Sequence, residues 1–126
     1  MLEKLLNELV EEFDCQVKES NEFAYYYAQS LVCFTREKDA VNDKAFLEFA
    51  RANGLNEKVD AFTISFFHEV GHNETIDDVE EEFDGDKNAL TLEQYFNLEE
   101  EWLATEWAID FCNNNIEVVE KIQQFL

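Results

Sequence analysis

Proline is absent from this chain, and glycine, histidine and basic residues are scarce: three glycines, two histidines and nine Lys or Arg among 126 residues. The missing proline leaves no marker of a domain boundary, and three scattered glycines exclude a glycine-rich phosphate loop. The three cysteines, Cys15, Cys33 and Cys112, are odd in number and lack CxxC spacing. That excludes a disulfide framework and a thiolate zinc site, and is expected of a protein kept in a reducing cytoplasm. No apolar run approaches the roughly 20 residues of a membrane span. Met1 to Asp14 also lacks the basic start of a signal peptide, so a cytoplasmic location with no membrane partner is expected. Thirty acids against nine bases leave a formal charge of −21, a field that repels nucleic-acid backbones and attracts cations and basic proteins. Direct nucleic-acid binding is not expected, whereas a basic protein partner would be welcome.

What the chain does have is apolar bulk. Its hydrophobic fraction is 46%, with 12 Phe. This suits one hydrophobic core, so residues 1–126 are read as a single domain. Leu2, Leu5, Leu6, Leu9, Val10 and Phe13 recur at helical spacing and predict a first helix over residues 2–13. Short strands are expected at Gln16–Lys18, Phe23–Tyr27 and Leu31–Thr35, forming a small antiparallel sheet. Asp43 is placed to cap a helix that stops near Asn53-Gly54. A second helix is predicted from Lys58 to about His72, on the stripe Val59, Phe62, Thr63, Phe66 and Val70. The acidic stretch Asn73–Asn88 reads as an exposed connection, with a short element near Val79–Phe83. A long helix over about Leu92–Cys112 and a final one over Ile116–Phe125 complete an α+β expectation.

Both histidines fall in His68-Glu69-Val70-Gly71-His72. Two histidines four apart on a helix project from one face, so both imidazoles reach a single Zn²⁺ at about 2.0–2.1 Å. Glu69 lies about 100° around the helix from His68, within reach of a water beside the metal without becoming a ligand, which assigns it general-base work. The bland alternative is a surface helix carrying two unrelated histidines. Gly71 would either let another element pass close to the motif helix or mark that helix's end. A catalytic zinc takes a third protein ligand and keeps one position open for water. With no other histidine, that ligand must be a carboxylate, and Glu99-Glu100-Glu101 is the densest cluster. From Glu101 a strip of small residues, Ala104, Thr105, Ala108 and Cys112, continues one helical face and would allow close approach. Glu100 leads to the bulkier Leu103, Trp107 and Phe111 and is the runner-up, while Glu99 leads to a mixed face.

Phe66-Phe67-His68-Glu69-Val70-Gly71-His72, followed by Glu101-Trp102-Leu103-Ala104-Thr105-Glu106-Trp107-Ala108, resembles the paired signature of the ImmA/IrrE-type zinc metallopeptidases. In that family an HExGH helix precedes a helix bearing E-x-x-A-x-x-F-A, and Trp107 stands here in place of the Phe. The resemblance covers roughly residues 20–112. It implies a zincin-like fold, Zn²⁺ as cofactor, Glu101 as third ligand and hydrolysis of a peptide bond in a chosen intracellular protein, often within a phage or mobile-element circuit. The extreme acidity is not part of the signature. It supports an alternative reading as a non-enzymatic inhibitor that mimics nucleic acid and blocks a basic partner.

Among lesser signals, Tyr95 and the Tyr25-Tyr26-Tyr27 run are the available phenols for stabilising an oxyanion. A strand at Phe23–Tyr27 could also pair with an extended substrate peptide. Asp84, Asp86 and Asn88 imitate the start of a calcium loop, but Ala89 and Tyr95 occupy the positions that need Gly and Glu, so an EF-hand is rejected in favour of a turn.

Overall fold

The structure is a computed structural model that describes residues 1–41 and 43–126. It is α+β. Helices α1 (Leu2–Leu9), α2 (Lys38–Val41), α3 (Lys44–Ala52), α4 (Ala61–Thr75), α5 (Leu92–Phe96), α6 (Glu99–Asn114) and α7 (Ile116–Gln123) surround strands β1 (Gln16–Glu19), β2 (Ala24–Tyr26) and β3 (Leu31–Phe34). No helix among the described residues is long and apolar enough to cross a membrane.

The sheet departs from the antiparallel expectation. Its order is β1-β3-β2, with β3 parallel to β1 (Val17 opposite Val32) and antiparallel to β2 (Tyr25 opposite Val32). The reason is burial: Val32, Cys33 and Phe34 are all buried, so β3 takes the centre, where both of its edges are paired. The outer edge of β1 is covered from α1, where the Asn7 amide imitates a strand. Its Oδ1 accepts from Val17 N at 2.8 Å and its Nδ2 donates to Val17 O at 3.0 Å. β2 forms the opposite edge and, among the described residues, is paired on one side only.

Helix ends follow side-chain chemistry. Asp43 caps α3 by accepting from Phe46 N, as expected, and Gly54 follows α3 with φ +103°, a left-handed turn that glycine takes without Cβ strain. α4 begins at Ala61 and not near Lys58, because Asp60 accepts from Thr63 N at 3.0 Å and from Thr63 Oγ1 at 2.6 Å. It runs on to Thr75, so Gly71 lies inside the helix and is not its stop. The expected helix over 92–112 is two helices, divided at Asn97-Leu98. α5 has a Thr91/Gln94 capping box, and its end is tied by Asn97 Nδ2 to Glu93 O. The first helix is likewise split, α1 ending at Leu9 and a 3-10 turn following at Glu11–Phe13. Residues 79–83 form neither helix nor strand.

α4 is the central element. Phe62, Ile64, Phe66, Phe67 and Val70 are buried on several sides of it, between the sheet, α3 and α6. Full burial of each such side chain contributes about 1.5–3 kcal/mol. α6 lies against α4 through Ala104, Thr105, Ala108 and Cys112, all buried and all small. A Cβ on Gly71 would overlap the backbone carbonyl oxygen of Ala104 and come within 3.0 Å of its carbonyl carbon. Glycine at 71 therefore sets how closely the two helices approach.

Candidate metal centre

The approach of α6 to α4 brings three side chains to one point. His68 Nε2 lies 3.0 Å and His72 Nε2 3.2 Å from Glu101 Oε1, and the two imidazole nitrogens are 3.1 Å apart. The triangle is almost equilateral. In a tetrahedral zinc site with bonds of about 2.0–2.1 Å, neighbouring ligand atoms stand about 3.3–3.4 Å apart. The observed triangle is slightly tighter than that, and its two-imidazole, one-carboxylate donor set could hold a metal ion.

Protonation follows from the neighbours. Thr105 Oγ1 donates to the backbone oxygen of Glu101 at 2.9 Å and lies 3.0 Å from His68 Nδ1. A hydroxyl has one proton, so toward His68 it accepts, and Nδ1 carries the hydrogen. In the neutral ring Nε2 is then left with its lone pair facing the Glu101 carboxylate. Two electron-rich atoms at 3.0 Å repel unless a cation lies among them.

Aromatic rings brace both histidines. Phe46 stands edge-on to His68 at 5.0 Å between centroids, and Tyr25 stacks on His72 at 6.3 Å with planes 10° apart. The Tyr25 hydroxyl is committed, donating to Asn73 Oδ1 at 2.8 Å, while Asn73 Nδ2 donates to Phe13 O at 2.9 Å.

The electrostatics are coupled. Burial works against ionisation of Glu101, but the imidazoles of His68 and His72 against its Oε1, in their proton-bearing form, outweigh burial and hold the carboxyl far below its usual range. For His72 burial again opposes charge, and the Glu101 hydrogen bond with the charges of Glu69 and Glu101 raises the imidazole above 6.5. Glu69 is raised, chiefly by burial and against the pull of His68 and His72. Its Oε2 is buried and, among the described residues, meets no hydrogen-bond donor. An orphaned carboxylate oxygen costs several kcal/mol when charged, so this oxygen needs a donor from outside the described side chains. Glu69 does share a 4.8 Å neighbourhood with the two histidines. Glu101 Oε1 lies within 3.0–3.2 Å of both imidazole nitrogens, and no hydrogen bond joins Glu69 to either among the described residues.

Each member of the acidic triplet has a separate task. Glu99 Oε1 accepts from Glu80 N at 2.7 Å and Glu100 Oε2 from Phe83 N at 3.4 Å, tethering the connection before α5. Only Glu101 joins the histidines. Its other oxygen, Oε2, is 3.3 Å from Lys87 Nζ, and the same ammonium is 3.4 Å from Glu100 Oε1. That latter contact is an ion pair without hydrogen-bond geometry, since Glu100 Oε1 has no donor in line. Sequence reasoning missed Lys87, although a signal was present: it is the only Lys or Arg between Lys58 and Lys121. Asp86, taken from the rejected calcium loop, caps the turn that carries Lys87 by accepting from Asn88 N at 2.9 Å.

Two cavities meet at the centre. One, of about 260 Å³, is lined by Phe23, Phe46, Phe96, Ser65 and His68 among others; the second, of about 540 Å³, by Tyr25, His72, Glu80, Glu82, Lys87 and Glu100 among others. Glu69 and Tyr95 border both. Burial, then the charges of Glu101 and Glu69, push the Tyr95 phenol far above its ordinary value, so it remains a hydrogen-bond donor at neutral pH. Tyr26 and Tyr27 are exposed and line neither cavity.

No protein-family model matches the chain, and neither a curated protein nor a solved structure matches it.

Proposed function

We propose that this chain is a zinc-dependent metallopeptidase of a zincin-like, ImmA/IrrE-similar kind, hydrolysing a peptide bond in an intracellular protein. The observation that carries the reading is the triangle of His68 Nε2, His72 Nε2 and Glu101 Oε1, with edges of 3.0–3.2 Å and the His68 tautomer anchored by Thr105. These three residues would hold the metal. Bound zinc supplies Lewis acidity, which polarises a carbonyl and acidifies water. Glu69, held at the junction of both cavities, takes the proton of the attacking water and returns it to the leaving amine. Tyr95, whose phenol borders both cavities beside Glu101, donates to the oxygen that gains charge. The low-dielectric walls strengthen both actions. Three free, buried cysteines fit a reducing cytoplasm.

The test is proteolysis by the purified protein before chelation, after chelation and after return of zinc. Loss on chelation and recovery with zinc is expected. Cleavage that persists in the chelated protein would overturn the reading.

A further inference from the structure

The two cavities differ in chemistry, and β2 runs between them. Phe23, just before the strand, lines the smaller cavity; Tyr25, two residues on, lines the larger one and stacks on His72. Residues two apart in extended chain share a face, so this face borders one cavity, passes the histidines and borders the other. Among the described residues the strand is also the sheet edge left unpaired, since Asn7 covers the opposite one. An extended peptide laid beside it would place side chains on either side of the triad into the two cavities.

The smaller cavity is mainly apolar, with Phe23, Phe46, Phe96 and Ala40 in its wall; Asp43 and Ser65 also line it, and the Asp43 carboxylate is engaged in capping α3. Its about 260 Å³ is less than a drug-sized site of roughly 300 Å³ or more and leaves room for one large apolar side chain. The larger cavity is acidic. Apart from Glu69 and Glu101 of the centre, it has Glu80, Glu82 and Glu100 against the single cation Lys87, which Glu100 and Glu101 already engage. The stretch entering it carries Asp77, Asp78, Glu80, Glu81, Glu82, Asp84 and Asp86. A negative field concentrated at one end of a cleft raises the local concentration of cationic groups.

Resting on the metallopeptidase reading, we infer that the substrate is a peptide segment with a large aromatic or aliphatic residue on one side of the scissile bond and a Lys or Arg on the other. The charge of −21 then has a role at this site: it steers a basic segment to the acidic end of the cleft.

The experiment uses the zinc-loaded full chain and a degenerate library of free peptides, with cleavage sites read by mass spectrometry. Cleaved sequences should carry the apolar residue on one side and the basic residue on the other. Exchanging Lys for Glu in the best peptide should lower kcat/KM about tenfold or more, an effect that shrinks with added salt. Glu80→Gln with Glu82→Gln should narrow that Lys-over-Glu discrimination. Ala40→Leu, which narrows the apolar cavity without emptying the core, should shift preference from Phe toward smaller side chains. Cleavage with no flanking preference, or with Glu favoured over Lys, overturns this inference and leaves the metallopeptidase reading standing. Cleavage of no peptide by zinc-loaded protein overturns both.

Discussion

Thr105 Oγ1 lies 3.0 Å from His68 Nδ1, and because its only proton goes to the Glu101 backbone oxygen, it fixes which nitrogen of His68 faces the centre. Thr105 is thus a positioning residue. Thr105→Val keeps the shape and removes the acceptor, and should weaken zinc binding about 10–100-fold with little loss of fold. Thr105→Ser should restore it. Competition against a zinc chelator measures both, and an affinity equal to that of the unaltered chain would show that the hydroxyl does not orient the ring.

The division of labour between Glu69 and Glu101 is tested by matched changes. Glu69→Gln should keep its zinc and lose about 10²–10⁴-fold in cleavage rate, whereas Glu101→Gln should lose zinc itself. If Glu69→Gln were the variant stripped of metal, the ligand set would be His68, Glu69 and His72 in place of the triangle described above.

Gly71 links packing to the site. Gly71→Ala drives a methyl into the Ala104 backbone, and should cost about 1–3 kcal/mol while pushing α6, with Glu101, away from the histidines. Zinc affinity should fall with melting temperature. Gly54→Ala is the control: it strains a left-handed turn by about 1–2 kcal/mol but meets nothing within 4 Å, so it should lower stability and spare zinc. Equal zinc loss in both variants would separate the site from the helix contact.

Much of this was legible in the sequence because it rests on local rules. The i, i+4 histidines, the Asp43 cap and the small-residue strip from Glu101 to Cys112 each depend on periodicity or a cap within a few residues. The sheet was not legible in the same way. The parallel pairing of β1 with β3 depends on which strand buries both faces, a tertiary matter that alternation within Gln16–Glu19 does not encode. The break at Asn97-Leu98 was hidden by continuous helical spacing on either side of it, although the Thr91/Gln94 box could have marked the start of a separate short helix. Lys87 lay in a stretch read as solvated connection, and only its isolation among acids distinguished it.

Proton linkage gives a pH dependence with a definite sign. The imidazole of His72 is raised above 6.5 in the folded, metal-free chain. The stabilisation from its charged pairing with Glu101 is therefore fully present below the unfolded value of about 6.5 and is lost as pH rises through the raised value. Zinc reverses this, because below the raised value it must displace that proton. Apparent zinc affinity should climb by up to about tenfold per pH unit across the window and then level off. Thermal melts with and without zinc at about pH 6 and about pH 8 should show a wider gap at the higher pH. A gap that narrows would contradict protonation of His72 in the metal-free chain.

The most direct measurement of the central claim is the zinc content of the purified protein, by elemental analysis, beside that of His68→Ala. About one zinc per chain in the unaltered protein and none in the variant is the expected result. A folded, biologically active chain without zinc, whose activity instead disappears when acids of the Asp77–Asp86 stretch are neutralised, would contradict the metallopeptidase and point to an acidic decoy of a basic partner.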